Sequence, residues 1–309
     1  GWSYIDGSWY YFADSGAMQT GWQKLGGLWY YLDPSTGAML SGWQQIGGSR
    51  YYLSDSGSML TGWQLVDGSW YYLEPSGAMA IGWRQIDGSW YYLGSSGAMV
   101  TGWMWDGAVW WQLGSSGAWS GVSQRSQSIM GSSTVSADQM AAAYRAAVGA
   151  ATYPSATYAP EGAETIDRFC QILLEEARTE GVRAEVAFMQ AMLETGWLKF
   201  GGDVCPEQCN FAGIGAVGGG VHGNDFRMDL NGVRAGLRAQ VQHLKAYASA
   251  SALVNPCIDP RYHYVNHGSI TDVQGLGIPD YPQGIGWAGS AGYGMDIVSL
   301  ENRYFGLGY

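Results

Sequence analysis

The sequence predicts a two-domain protein. A β-hairpin solenoid spans residues 1–121, and a mainly α (α+β) domain spans 136–309, with a Ser-rich linker over 122–135. Three observations predict it. Fourteen of the 16 Trp lie within residues 1–121, whereas all four Cys lie between 170 and 257. A glycine- and aromatic-rich motif restarts at Gly1, Gly21, Gly42, Gly62, Gly82 and Gly102, and a fixed short period marks a solenoid. Beyond residue 136 the apolar residues recur instead at helical spacing.

Each repeat runs Gly-Trp, a short mixed stretch, Gly, an aromatic triplet close to Trp-Tyr-Tyr-Leu, then Ser-Gly-Ala-Met. Asp67-Gly68 and Asp87-Gly88 between extended segments predict two-residue hairpin turns. The Ser-Gly pairs at 56–57, 76–77 and 96–97 supply a second turn. An isolated hairpin is marginal in water, so each unit has to bury aromatics against its neighbours. Strand alternation places Tyr71 and Tyr72 on opposite faces, so that one face packs inward and the other is free for another role.

Residues 122–135 lack periodicity and are expected to be a linker. Ser136 and Gln139 form a capping-box pattern that opens a helix to about Ala147. Residues 151–163 read as loop. A second helix is predicted over about 164–180, with Ile166, Phe169, Cys170 and Leu173 as its apolar stripe. A third covers about Arg183 to Glu194 and a fourth about Gly232 to Ala248, with a loop or small-sheet insertion near 201–228 and a short helix in the tail.

The net charge of −11 is shared by both halves, so no basic stripe invites nucleic acid. No apolar run reaches membrane-spanning length. The chain opens directly on a repeat, which suggests a fragment or mature product. His222, His243, His263 and His267 show no paired-ligand spacing, so no metal is expected. Free thiols and bridges both stay open for the four Cys; a short-loop disulfide between Cys205 and Cys209 is favoured, with Cys170–Cys257 behind it.

The repeat pattern resembles the choline-binding, or cell-wall-binding, repeat family. The resemblance implies shallow aromatic cages between adjacent repeats, often completed by a Met, for the quaternary ammonium of choline on teichoic acid. Aromatic faces attract such a cation by ~0.5–2 kcal/mol per contact. Carried over, the cages join Trp2 and Trp9 to an aromatic of the second repeat, Trp22 and Trp29 to the third, Trp63 and Trp70 to the fifth, and Trp83 and Trp90 to Trp110. Arg50 replaces an aromatic and should damage the third cage. The last repeat, ending Gly117-Ala118-Trp119 without the Met, looks like a terminal cap. Related repeats bind glucans, so another polysaccharide remains open as the ligand.

Glu194 ends an apolar helix, and such surroundings raise a carboxyl pKa as a general acid requires. Gln190, one turn before it on the same helical face, is a candidate substrate-binding residue of the groove. Ala191-Met192-Leu193-Glu194-Thr195-Gly196-Trp197, then Asn210-Phe211-Ala212-Gly213-Ile214, and Gly292-Tyr293-Gly294 near the end, resemble the glucosaminidase domains of glycoside hydrolase family 73. The resemblance implies a lysozyme-like fold that cleaves the β-1,4 bond after N-acetylglucosamine in peptidoglycan. Glu194 then falls on the proton donor and Tyr293 on a tyrosine close to it. Asn210, Phe211, Gly213 and Ile214 would line the groove. Trp197 and Trp287 stand as sugar platforms or core. The second carboxylate is less marked: the stretch Val217 to Phe226 is short, with Asp225 first and Asp203 behind it, and the 2-acetamido group of substrate is an alternative. No cofactor is implied. The whole reads as a secreted, wall-anchored hydrolase (autolysin) with peptidoglycan and a wall polymer as partners. A muramidase or lytic transglycosylase is the alternative, and a catalytically dead adhesin a more distant one.

Overall fold

The computed structural model describes residues 1–149, 153–216, 223–227, 231–277 and 286–308. They form two compact units: Gly1–Met104 with Trp111–Val122, and Trp105–Trp110 with Ser123–Tyr309.

The first unit is built from successive antiparallel hairpins, each from one repeat. The hairpin Gly21–Leu25 with Leu28–Leu32 pairs Trp22 with Tyr31 and Lys24 with Trp29. Hairpins Gly42–Ile46/Ser49–Leu53, Gly62–Val66/Ser69–Leu73 and Gly82–Ile86/Ser89–Leu93 keep the same register. The two-residue turns carry positive φ at both positions: 49° at Asp67 and 80° at Gly68, 48° at Asp87 and 83° at Gly88. These are the primed turns whose twist matches the strands. In the second and third repeats Gly26-Gly27 and Gly47-Gly48 do the same job.

Pleating sorts the triplet. Trp29 and Tyr31 share a face with Trp22, while Tyr30 and Leu32 share the other. Leu32, Leu53, Leu73 and Leu93 are fully buried and form a spine at the repeat period. From the second repeat to the fifth, the Met pairs with the spine residue of its own repeat and donates its N–H to a carbonyl of the repeat before it; Met39 bonds Trp9 and Met59 bonds Trp29, both at 2.7 Å. The Ser-Gly turns are tied to these Met. Gly57 has φ +82°, and a Cβ there would lie 2.3 Å from Met39 Sδ. Glycine is therefore required twice over, by conformation and by space.

The second unit is mainly α: α1 (Ala137–Val148), α2 (Ser155–Tyr158), α3 (Ile166–Glu180), α4 (Ala184–Glu194), α5 (Gly232–Ala248) and α6 (Tyr293–Phe305). The Ser136/Gln139 capping box is formed in both directions. α3 is capped by Thr165 and ends on left-handed Gly181. α4 is apolar on nearly all sides, and nine of its residues are buried, as for a helix in the middle of a core. α3 and α5 are stitched by Lys245–Glu180 at 2.9 Å and by Arg234 and Arg238 on Glu176. Between 201 and 227 the described residues contain only a 3-10 turn, Pro206–Gln208, and no strand.

Two expectations need correction. Residues 126–135 are not a free linker. Gln127 accepts from the Val273 N–H at 2.8 Å, and fully buried Ile129 donates its N–H to Thr271 and accepts from Arg183, each at 3.0 Å. Gly131 donates to Gly181. The Ile129-Met130 pair inside the Ser-rich stretch is what the core takes up, and the backbone follows into hydrogen bonds that it must make once buried. The Cys205–Cys209 and Cys170–Cys257 disulfides are absent; all four are free thiols. Cys205 is exposed and caps the 3-10 turn, while Cys209 is buried, with its Sγ 3.0 Å from where a Cβ on Gly232 would stand.

Candidate functional site

The repeat unit carries a series of aromatic hollows, each shared by neighbouring repeats. In the first, Trp2 and Trp9 stand perpendicular at 6.4 Å, Tyr30 lies 5.0 Å from Trp2, and Met39, Asp55 and Ser56 complete the lining. The second repeats this with Trp22, Trp29, Tyr51 and Met59. Trp63, Trp70 and Tyr91 form another, with Trp63–Tyr91 at 4.9 Å. The outer rings of these sets, Trp9, Trp29, Trp70 and Trp90, remain 40–44 % exposed. Large apolar rings left half-open beside electron-rich faces suit a cation without hydrogen-bond donors.

The third position differs: the Arg50 guanidinium lies 4.4 Å from the Trp43 ring centroid, where the other hollows are open. A side-chain cation already occupies that face. Lys24 reaches the rim of the second hollow more loosely, 5.8 Å from Trp29.

The last hollow corrects the sequence reading. Trp83 and Trp90 are met by Trp111, 5.1 Å from Trp83, and not by Trp110. Trp110 is 2 % exposed and stacks on Trp105 at 5.4 Å. Pleat parity decides this: Trp111 occupies the place of Tyr91 in the repeat, Trp110 that of Trp90. Trp119 stands where the other repeats place Met and lies 5.3 Å from Trp111. The repeat expected to be a terminal cap thus sets a further aromatic beside Trp111.

In the second unit Glu194 is the last residue of α4. The chain then turns tightly: Thr195 Oγ1 donates to Ala191 and accepts from the Leu198 N–H, and Gly196, Trp197 and Leu198 all have φ near +60°. Left-handed backbone costs ~1–2 kcal/mol per non-glycine residue, and such strain gathers at functional sites. The turn leaves Glu194 open to solvent at the cleft while protein surrounds its carboxyl elsewhere. Desolvation raises its pKa above the ordinary carboxyl range, opposed by hydrogen bonds from Tyr293 and Trp287. Tyr293 Oη donates to Glu194 Oε1 at 2.5 Å. Burial and the Glu194 charge push the Tyr293 phenol far up, so it stays protonated and donating.

Glycine positions both walls. Tyr293 opens α6, where a Cβ on Gly294 would stand 1.9 Å from Val273 O. Opposite, a Cβ on Gly236 of α5 would stand 1.7 Å from Cys209 O, so the helix lets the Cys209–Ala216 loop approach closely. Asn210 pins that loop, accepting from the Ile214 N–H at 3.0 Å and donating to the Ile214 and Asn224 carbonyls. Gly213, at φ +64°, faces the acid: a Cβ there would lie 3.5 Å from Glu194 Oε2.

Several expected groove residues have other jobs. Phe211 and Gln190 are fully buried, and Gln190 accepts from Gln240 at 2.9 Å. Trp197 packs on Tyr304 at 5.0 Å, half-buried against the core. Asn210 and Gly213 line the hollow at Glu194, while Gly213, Ile214 and Trp287 line a second hollow beside it. Asp225 is corrected as well. It forms an exposed pair with Arg227 at 2.5 Å, which holds its carboxyl below the usual range, and it does not line the Glu194 hollow. Asp203 does. Residues 217–222, part of the lobe expected to carry the second carboxylate, lie outside the described residues.

The family model described as mannosyl-glycoprotein endo-beta-N-acetylglucosaminidase, the glucosaminidase family, matches residues 170–304. Choline-binding repeat models match residues 1–42 and 40–82, and a cell wall binding repeat model matches 81–99. An uncharacterised protein of Borreliella burgdorferi is 38 % identical over 111 residues, covering 36 % of this chain and 52 % of that protein. CbpJ of Streptococcus pneumoniae is 50 % identical over 39 % of this chain and 42 % of its own, with a TM-score of 0.38. Choline binding protein F of Streptococcus pneumoniae is 45 % identical over 39 % of this chain and 41 % of its own, also with a TM-score of 0.38. The chain thus spans about half the length of the curated relative it matches and about two fifths of these structures. It is a modular protein: a choline-binding repeat array fused to a glucosaminidase domain.

Proposed function

We propose that the chain is a secreted, wall-anchored peptidoglycan hydrolase, an endo-β-N-acetylglucosaminidase that cuts the β-1,4 bond after N-acetylglucosamine. One observation carries the reading: a carboxyl at a helix end that accepts the Tyr293 hydroxyl at 2.5 Å, inside a domain of glucosaminidase sequence. A general acid has to be protonated when substrate arrives, and desolvation favours that form. As the proton passes to the glycosidic oxygen, Glu194 gains charge, and the Tyr293 and Trp287 donors stabilise that charge. Asp203 takes the place of Asp225 as the candidate second carboxylate, because it lines the same hollow. Separations of ~5–5.5 Å suit retention and ~6.5–9.5 Å inversion, and the substrate 2-acetamido group can replace a protein nucleophile.

The repeat array serves to hold the enzyme on its substrate, raising local concentration without altering the active site. Choline on the wall polymer is its proposed ligand, supported by the open, perpendicular tryptophan hollows with a Met or Trp floor. The phage Cp-1 endolysin, 35 % identical over 40 % of this chain and 37 % of its own (TM-score 0.30), is described as complexed with choline. Glu194→Gln should abolish lysis of purified walls and leave wall binding intact. Products with N-acetylglucosamine at the reducing end support the bond assigned; muramic or anhydromuramic ends overturn it.

A further inference from the structure

The hollow at Glu194 does not stop at Gly213. Gly213 and Ala216 are shared with a second hollow of roughly 260 Å³, walled by His243, Tyr247, Arg261 and Trp287. The charge divides between the two. Glu194 and Asp203 line the first, whereas no carboxylate stands among the described residues that line the second.

The polar groups of this second hollow are mostly taken. Trp287 donates to Glu194. Tyr247 Oη donates to Gly286 O at 2.8 Å. His243 Nδ1 lies 2.6 Å from Asp259 Oδ2 and its ring packs on Trp287 at 4.6 Å. Asp259, whose side chain is fully buried, also accepts the backbone N–H of Arg261 on Oδ1. Both its oxygens are engaged by these groups, and it forms no ion pair with the Arg261 guanidinium. That guanidinium lies 5.9 Å from the Tyr264 ring and makes no ion pair with a described residue. It is a fork of donors on the wall of a cleft, in a chain of net charge −11.

We infer that Arg261 makes this hollow a subsite for a carboxylate carried by the sugar unit next to the scissile bond. A guanidinium binds a carboxylate through two parallel hydrogen bonds and stays charged throughout. On a peptidoglycan strand the carboxylate belongs either to the lactyl ether of muramic acid or to the stem peptide attached there. The assignment rests on the hydrolase reading above and adds the determinant that separates an acidic glycan from a neutral one.

The test compares wild type with Arg261→Ala and Arg261→Lys in the full chain. Three glycans of equal length are used: peptide-stripped peptidoglycan strands, peptide-bearing strands and uncharged N-acetylglucosamine oligomers. Arg261→Ala should lower the ratio of kcat/KM on charged to neutral glycan about ten-fold, mainly through KM. Arg261→Lys should recover part of it, since a point charge lacks the fork. A loss on stripped strands assigns the lactyl group, and a loss confined to peptide-bearing strands assigns the stem peptide. An unchanged ratio overturns the subsite. If wild type cleaves none of the three, the hydrolase reading falls by itself. Calorimetric binding of the same glycans to Glu194→Gln, with and without Arg261→Ala, then decides the subsite: weaker binding of charged glycan alone supports it, and equal affinities overturn it.

Discussion

The repeat hollows and the Glu194 cleft both use aromatic side chains beside a charge, but in opposite senses. In the repeats, rings such as Trp9 and Trp70 are left half-open, so that their faces reach solvent. In the cleft, Tyr293 is buried and works through its hydroxyl, and Trp287 through its indole N–H. On the proposed reading the repeats take a cation from outside, whereas the cleft handles a proton of its own. The difference teaches that aromatic content alone says little. Which part of the ring faces the charge decides the chemistry.

The comparison breaks most sharply at Glu194. Glu194→Gln should cost at least about a thousand-fold in wall lysis, within the range for loss of a general acid, and leave retention on choline resin unchanged. Turbidity clearing and resin elution read the two halves separately. Tyr293→Phe is next, with about a ten-fold fall in kcat. Its pH profile sharpens the point. The phenol stabilises ionised Glu194, so removing it raises the acid's pKa further, and the alkaline limb of the profile should move to higher pH. A limb that moves to lower pH would contradict the assigned hydrogen bond.

Gly213→Ala should lower stability by ~1–2 kcal/mol from its φ of +64° and raise KM, because the added methyl stands 3.5 Å from the Glu194 carboxyl. Thermal unfolding together with initial rates separates the two effects. On the repeat side, Arg50→Trp should open the hollow now held by its own guanidinium and add one choline site to the calorimetric stoichiometry. An unchanged stoichiometry would mean that Arg50 does not block the site. The smallest effect belongs to Asp225→Asn: an exposed pair with Arg227 is worth little, so activity should stay within about two-fold.

Much of this was legible in the sequence. The hairpin turns followed from Asp67-Gly68, because both positions need positive φ. The helices followed from caps at Ser136 and Gly181 and from apolar spacing. The Glu194–Tyr293 pair was reached through motif resemblance, not through physics, since 99 positions separate the two residues and no local pattern links them. Trp111 was recoverable: counting the pleat from Tyr91 by one repeat lands on it, whereas the eye is drawn to Trp110. Arg261 carried no signal at all, because nothing local sets it apart from other exposed arginines.

Local rules therefore determined this protein's elements: turns, caps, the twenty-residue period and the two-part division. Those features depend on φ preferences and on neighbours a few residues away, which a sequence displays directly. Only the tertiary structure decided which aromatic meets which, that residues 126–135 are docked and not free, that Cys205 and Cys209 do not bridge, and that Asp203, not Asp225, stands beside the acid. Each of these depends on packing between segments distant in the chain. There, burial and the satisfaction of backbone polar groups choose among partners that the sequence leaves equal.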